Sequence, residues 1–324
     1  MNTLAKFGAR RLLFGLPTIW LLITVVFAMV HLAPGDPLSF ITGEGDISSE
    51  QLARLRAEYG LDRPLATQYA LYLKKVVVGD LGFSYRYRAP VMDLIVDRIP
   101  ATLLLMGPSL ALFIGLGIVF GIVAARRPNS GVDLVMSGVA LVGWSVPVFW
   151  LGQLLIIGFA LKLGWFPTQG MFNLRAPAQG LGRALDVAWH LVLPAAALGM
   201  RFLALSTRMT RSSMLQVLRL DYMTTARAKG IPERTVLSRH GLPNALLPVI
   251  TIVGMNVGTM LSGSVLVEVV FAWPGMGRLL YDGVLARDYP LIIGIILVVS
   301  VAVVLVNLLT DVVYAIVDPR IRYD

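Results

Sequence analysis

Asp221-Tyr222-Met223-Thr224-Thr225-Ala226-Arg227-Ala228-Lys229-Gly230, followed after nine residues by His240-Gly241-Leu242-Pro243, decides how this chain is read. It is a polar, basic island between apolar runs. Asp221 is suited to cap a helix from about Tyr222 to Lys229, and Gly230 to end it. Pro232 then fits the first turn of a second helix, expected to close near Gly241 and Pro243. The first helix spans only ~12 Å at 1.5 Å per residue. Ala226 and Ala228 carry little bulk, so the groove of another protein could approach closely. Arg227 and Lys229 fall at the C-terminal end, where the helix dipole favours cations; they serve a docking partner or anchor the inner leaflet. Fixed register, small residues and two helix stops favour a docking segment over a generic basic loop.

The runs on either side are membrane-like. The chain is 56% hydrophobic and 15% charged, against about a quarter charged for a soluble domain; the mean hydropathy is +0.75. Apolar runs at Leu12–Leu32, Ala101–Ala124, Leu134–Leu161, Leu191–Ser206, Leu246–Phe271 and Leu291–Val317 give six expected spans, since a ~30 Å hydrocarbon core needs ~20 helical residues. The third run is long enough to tilt or to bend at Pro147, and the fourth is short, near Pro194, and carries Arg201. The reading is an all-α polytopic transmembrane bundle.

Basic residues set the orientation. With the N-terminus inside, Lys6, Arg10, Arg11, Arg126 and Arg127 lie inside, as do Arg208, Arg211, Arg219, Arg227, Lys229, Arg234, Arg239, Arg320 and Arg322. Segment 33–100 then lies outside, nearly neutral with eight basic and nine acidic residues. Both termini are therefore expected inside. The net charge of +9 is explained by this asymmetry and not by nucleic acid. The first apolar run leads into His31-Leu32-Ala33-Pro34-Gly35-Asp36-Pro37 without a small-x-small cleavage site, so residues 1–32 read as an uncleaved segment and first span. Segment 33–100 is expected to be a small helical cap. One helix starts at Ser48-Ser49-Glu50-Gln51, a second after Pro64, and a turn follows at Gly79–Ser84. The cap is either a stabilising lid or a docking surface for an external partner. Residues 101–324 form the membrane core, with 207–245 as its inner loop.

Gly230, nine residues, position 240, one residue and Leu242-Pro243 resemble the coupling loop of ABC-importer permeases, Glu-Ala-Ala-x3-Gly-x9-Ile-x-Leu-Pro. Thr224, Thr225 and His240 depart from that pattern in the manner of the dipeptide/oligopeptide branch. Other stretches continue the resemblance: Arg208–Leu215, His31–Pro37, Gly79–Gly82, Glu268 with Phe271–Gly277, Arg287–Pro290 and Asp318–Arg322. It runs nearly end to end and is most similar to B-type permeases of bacterial dipeptide importers. The resemblance implies a type I ABC-importer permease fold in the bacterial inner membrane. It also implies a heterodimer with a second permease, two ABC ATPases that carry ATP and Mg, and an extracytoplasmic solute-binding protein. Under it, Asp221, Tyr222, Thr224, Thr225, Ala226, Arg227, Ala228, Lys229, Gly230, His240, Leu242 and Pro243 are the ATPase-coupling residues. Nickel or glutathione import is an alternative within the branch; a stand-alone ion-coupled carrier is the alternative outside it.

Enzymatic chemistry finds little support. There is no Gly-x4-Gly-Lys-Ser/Thr phosphate loop, no cysteine and no His-Glu-x-x-His motif, and the three histidines are dispersed. No metal or other cofactor is expected on this chain. Charges within spans are costly and mark candidate function. Glu268, Asn307 and Asp311 are the candidate substrate-path residues, although Glu268 could instead pair with Arg278, and Asn307 and Asp311 could bind neighbouring helices. Arg201 either snorkels or meets an acid. Gly254, Gly258, Ser262 and Gly263 suggest close helix packing.

Overall fold

The computed structural model describes residues 3–32, 62–84, 86–174 and 179–317. A bilayer leaves no water for exposed peptide groups, so apolar chain satisfies them internally as helix. The helices are α1 (Thr3–Leu32), α2 (Leu65–Val77), α3 (Val91–Arg126), α4 (Gly131–Ser145), α5 (Val148–Leu155, continuing as a wide π turn to Lys162) and α6 (Leu181–Val217). After these come α7 (Asp221–Ala228), α8 (Glu233–Thr235), α9 (Leu242–Val270), α10 (Met276–Leu285) and α11 (Tyr289–Val317). A two-residue antiparallel ribbon pairs β1 (Phe83–Ser84) with β2 (Ala89–Pro90). The chain forms two compact units, Met1–Thr102 with Pro274–Leu308 and Leu103–Trp273 with Leu309–Asp324.

Among the described residues, four helices are long and apolar enough to cross alone: Val91–Arg126, Leu181–Val217, Glu233–Gly254 and Tyr289–Thr310. Counting the bent α4–α5 pair as one span makes five. Hydropathy leads to an expectation of six; the described residues support the coarser statement, a polytopic helical bundle with four or five such helices. The third run is bent through 111°. Pro147 has no N–H to donate and disfavours helical geometry at Val146, which is extended at φ −82° and ψ 127°. The fourth run is the converse case. It continues as a 37-residue helix through Pro194, its apolar length understated by the polar residues at both ends.

In the first unit, α2 lies along α1. Tyr72, Leu73 and Val76 pack with Ile23, Val26 and Leu297. The Phe27 ring meets His31 at 4.0 Å, Tyr69 at 5.2 Å and Tyr72 at 5.5 Å. Thr24 shares a 2.6 Å hydrogen bond with Tyr69, and His31 Nε2 one of 3.0 Å with Gln68. Burial pushes the Tyr72 hydroxyl up to about 12. The helix read from Pro64 onward is thus present, whereas residues 48–60 lie outside the described residues. The ribbon is tied down by Ser84, whose hydroxyl donates to Asp288 at 2.5 Å; Asp288 in turn accepts the Leu291 N–H and so caps α11. Val91, Ile95, Met276, Leu279, Leu291 and Ile295 fill the space beneath.

The second unit is organised around α6, whose buried face runs from Leu191 to Val217. Small residues set its contacts. A Cβ on Gly117 would stand 2.7 Å from the Leu203 carbonyl oxygen, and one on Gly121 would stand 2.8 Å from that of Thr207. Gly143 similarly closes on Met200, and Gly254 on Thr310. Of the small residues singled out on α9, Gly254 therefore does make a close approach, whereas Gly263 has only ordinary contact with Leu198. The side chain of Ser262 lies outside the described residues. The Gly117-x-x-x-Gly121 pair was readable from spacing alone but had not been singled out. Gly121→Leu should destabilise the protein by about 1–3 kcal/mol, the usual cost of overpacking. Thermal unfolding in detergent checks this, and an unchanged Tm would contradict so close a crossing.

Candidate functional site

The α7 segment is held by its own small core. Leu220 is extended before it, and α7 runs Asp221–Ala228, so Asp221 occupies the first turn and makes no side-chain cap. This corrects the expected capping role; Asp221 instead sits where the helix dipole favours an anion. Met223 and Ala226 are buried with Ala125, Met214, Val217, Val236, Leu237 and Ala245. Three residues apart, they define the inward stripe of a short helix. Asp221, Tyr222, Thr224, Thr225, Arg227, Ala228 and Lys229 remain exposed. The two alanines therefore differ. Ala226 is small because its own chain closes over it, and only Ala228 lies on the open face.

Gly230 stops the helix as expected. Its φ of +75° is the left-handed geometry that glycine adopts freely, and its N–H donates to the Arg227 carbonyl at 2.9 Å. Across this turn Arg227 grips Glu233 with two hydrogen bonds, of 3.2 Å and 3.1 Å. The pairing pushes the Arg227 guanidinium pKa above its ordinary value. Both partners are exposed, so the pair is worth no more than about 1 kcal/mol and acts chiefly as an orienting clasp. The Tyr222 hydroxyl donates to the His240 carbonyl at 3.4 Å, and Asn244 donates to the same hydroxyl at 3.0 Å. Glu233 and Asn244 had not been picked out from sequence, since neither carries a motif signal.

The second helix does not close at Gly241 and Pro243. After the single turn of α8, residues Val236–Gly241 form a wide π turn that leads directly into α9. Pro243 lies in the first turn of α9, where a missing N–H costs little, so proline starts a helix here where it was expected to end one. Gly241 is buried, and a Cβ there would meet Met223 Cε at 3.3 Å. His240 and Leu242 are half-buried beside it. The coupling residues read from sequence thus converge on one clasped unit. Exposed cations Arg219, Lys229, Arg234 and Arg239 surround it.

The substrate-path candidates do not join this unit. Glu268 is fully buried toward the far end of α9, ~40 Å along the helix from Leu242. Arg278 has Asp282 at 4.0 Å. Asn307 is exposed on α11, and the side chain of Asp311 lies outside the described residues. Arg201 stacks on Trp144 at 4.8 Å, an aromatic partner that sequence reading had not assigned to it. Among the described residues no group of three or more His, Asp or Glu side chains is placed to hold a metal ion.

Residues 117–323 match the family model "Binding-protein-dependent transport system inner membrane component". Residues 4–106 match the corresponding N-terminal family, "Binding-prot-dependent transport system membrane comp, N-term". The chain belongs to this family. It is a transmembrane permease subunit of an ABC importer, resident in the bacterial inner membrane, and the family is a transport component without a catalytic role. The permease is 42% identical to the dipeptide transport system permease protein DppB of Escherichia coli (strain K12), covering 98% of this chain and 99% of that one. It is also 42% identical to the oligopeptide transport system permease protein AppB of Bacillus subtilis (strain 168), over 99% and 100%. The inward-facing MetNI methionine ABC transporter superposes with a TM-score of 0.53 at 17% identity, covering 70% of this permease and 97% of that chain. That likeness supports the type I importer permease fold alone.

Proposed function

We propose that this permease carries small peptides inward, driven by ATP hydrolysed on separate subunits. The peptide cargo is supported by full-length identity of 41–42% to curated dipeptide, oligopeptide and di/tripeptide permeases. Six spans cross the membrane with both termini inside: α1, α3, the bent α4–α5 pair, α6, α9 and α11. Residues 33–100 form an extracytoplasmic cap that receives a solute-binding protein, and residues 101–324 form the core. A second permease completes the pore, and two ATPases dock inside on segment 207–245.

The observation that carries the coupling role is the mounting of α7. Its inward stripe, Met223 and Ala226, is locked into a buried cluster while its outer face stays open. A helix held on one side and free on the other transmits a rigid-body push, which is what an ATPase closing against it would supply. Glu268, Asn307 and Asp311 remain the proposed polar residues of the path.

The chain has no cysteine, so single cysteines report sidedness on a clean background. Thr225→Cys should react with a membrane-impermeant maleimide only from the inside, and Val78→Cys only from the outside. The permease alone in proteoliposomes should accumulate no dipeptide, whereas the complete importer with ATP should. Labelling of both cysteines from one side, or uptake by the lone chain, would overturn this reading.

A further inference from the structure

Trp144 and two arginines form a second polar site, on an exposed face of the second unit between α4 and α6. Arg201 and Arg208 both place their guanidinium carbons over the Trp144 ring, at 4.8 Å and 4.7 Å. Trp144 ends α4, just before the bend at Pro147, and is 40% exposed. It stands ~16 Å along α4 from Asp133 at 1.5 Å per residue. Asp133 follows the basic turn at Arg126 and Arg127 that faces the inner surface and bridges Arg211, so the site climbs into the core from Arg208, about one turn above that level, to Arg201, ~15 Å above it.

Neither arginine has a carboxylate partner among the described residues. Both are exposed, along with Ser212 and Gln216 at helical spacing on the same face of α6, and Leu205 is half-buried between them. A face turned to lipid would be apolar, because a charge at this depth is costly in hydrocarbon. This face is therefore turned from lipid, toward the water-filled path that the second permease completes. Two guanidiniums on one indole also repel each other, and a single bridging anion relieves that repulsion.

We propose that Arg201, Arg208 and Trp144 form the subsite that receives the C-terminal carboxylate of the peptide in transit. The inference rests on the peptide reading above and names where in the permease the cargo is held. Guanidiniums bind carboxylates through paired, charge-assisted hydrogen bonds, and the indole offers a flat platform indifferent to side-chain identity. The terminal carboxylate is the one anion that every linear peptide carries. A permease built on it accepts varied side chains yet holds each peptide by one end.

The test compares uptake of Ala-Ala with that of its C-terminal amide by the complete importer in proteoliposomes, in wild type, Arg201→Gln and Arg208→Gln. The preference of the external receptor cancels when the free-to-amide ratio is compared between variants. Loss of a charged hydrogen bond should lower that ratio about tenfold or more in each variant, with the permease pair still co-purifying. An unchanged ratio overturns the subsite. Equal loss for both substrates, accompanied by loss of the second permease from the complex, also overturns it and assigns the arginines to subunit pairing. Wild-type importer that takes up neither substrate sinks the peptide reading itself. A dipeptide bearing a diazirine at its C-terminal residue, trapped in hydrolysis-deficient importer, should label this permease within 141–147 or 198–208; labelling confined elsewhere overturns the assignment.

Discussion

Ala228→Trp should abolish peptide uptake while leaving the permease folded and inserted. Ala228 is exposed on the open face of α7, so an indole there has room in the isolated subunit. It has no room if a partner groove closes over that face. A misfit at the centre of an interface costs about 2 kcal/mol or more, roughly a 30-fold weaker association. ATPase subunits should therefore fall away on purification, and transport with them. Ala226→Trp gives the necessary contrast. Ala226 is only 7% exposed within its cluster, so that variant should lose thermal stability before it loses a partner. The pair separates docking from folding. If Ala228→Trp retained full ATPase binding and wild-type uptake, the coupling assignment of α7 would be wrong.

This contrast also marks what could be read from the sequence. The island at 221–243 was legible because glycine and proline have backbone rules of their own: Gly230 supplies the left-handed stop. The inward or outward direction of each alanine was not legible. With only eight residues in α7, no periodicity distinguishes its two faces, and the burial of Ala226 depends on Met214, Val236 and Ala245 from other elements. Asp221 reads as a cap because acid-before-helix is a frequent pattern, whereas the helix starts one residue earlier than expected, at Asp221, and Leu220 takes the cap position. The π turn at Val236–Gly241 has no sequence signature, and it reversed the expected role of Pro243. Bending at Pro147 was legible, since proline restricts its predecessor locally. The Trp144 cluster was not, because its members come from two helices and meet only in the fold.

Breaking the pair between Asp133 and Arg211 should produce the largest loss of stability in this chain. The two meet in a bidentate bridge, with both N–O distances 2.6 Å, and Asp133 is 4% exposed. The carboxylate also accepts from the Asn129 N–H and the Ser137 hydroxyl, so its lone pairs are well used. Removing one member of such a pair leaves the other charge buried and uncompensated, at a cost of about 3–5 kcal/mol. Arg211→Gln, which strands the buried Asp133 carboxylate, should pay this penalty; Asp133→Asn should cost less, because the Arg211 side chain it strands is 29% exposed, and the double variant should lose markedly less than the two together. Thermal unfolding of the purified complex reads all three. The consequence extends to coupling, because the bridge fixes the start of α4 to α6 one short segment before α7 begins. A loosened α6 end would absorb the push delivered to α7 instead of passing it on. Each single variant should therefore hydrolyse more ATP per peptide imported than wild type at a temperature where it remains folded. Strictly additive stability losses, or an unchanged ATP-to-peptide ratio, would show that the bridge is neither a coupled pair nor part of the mount.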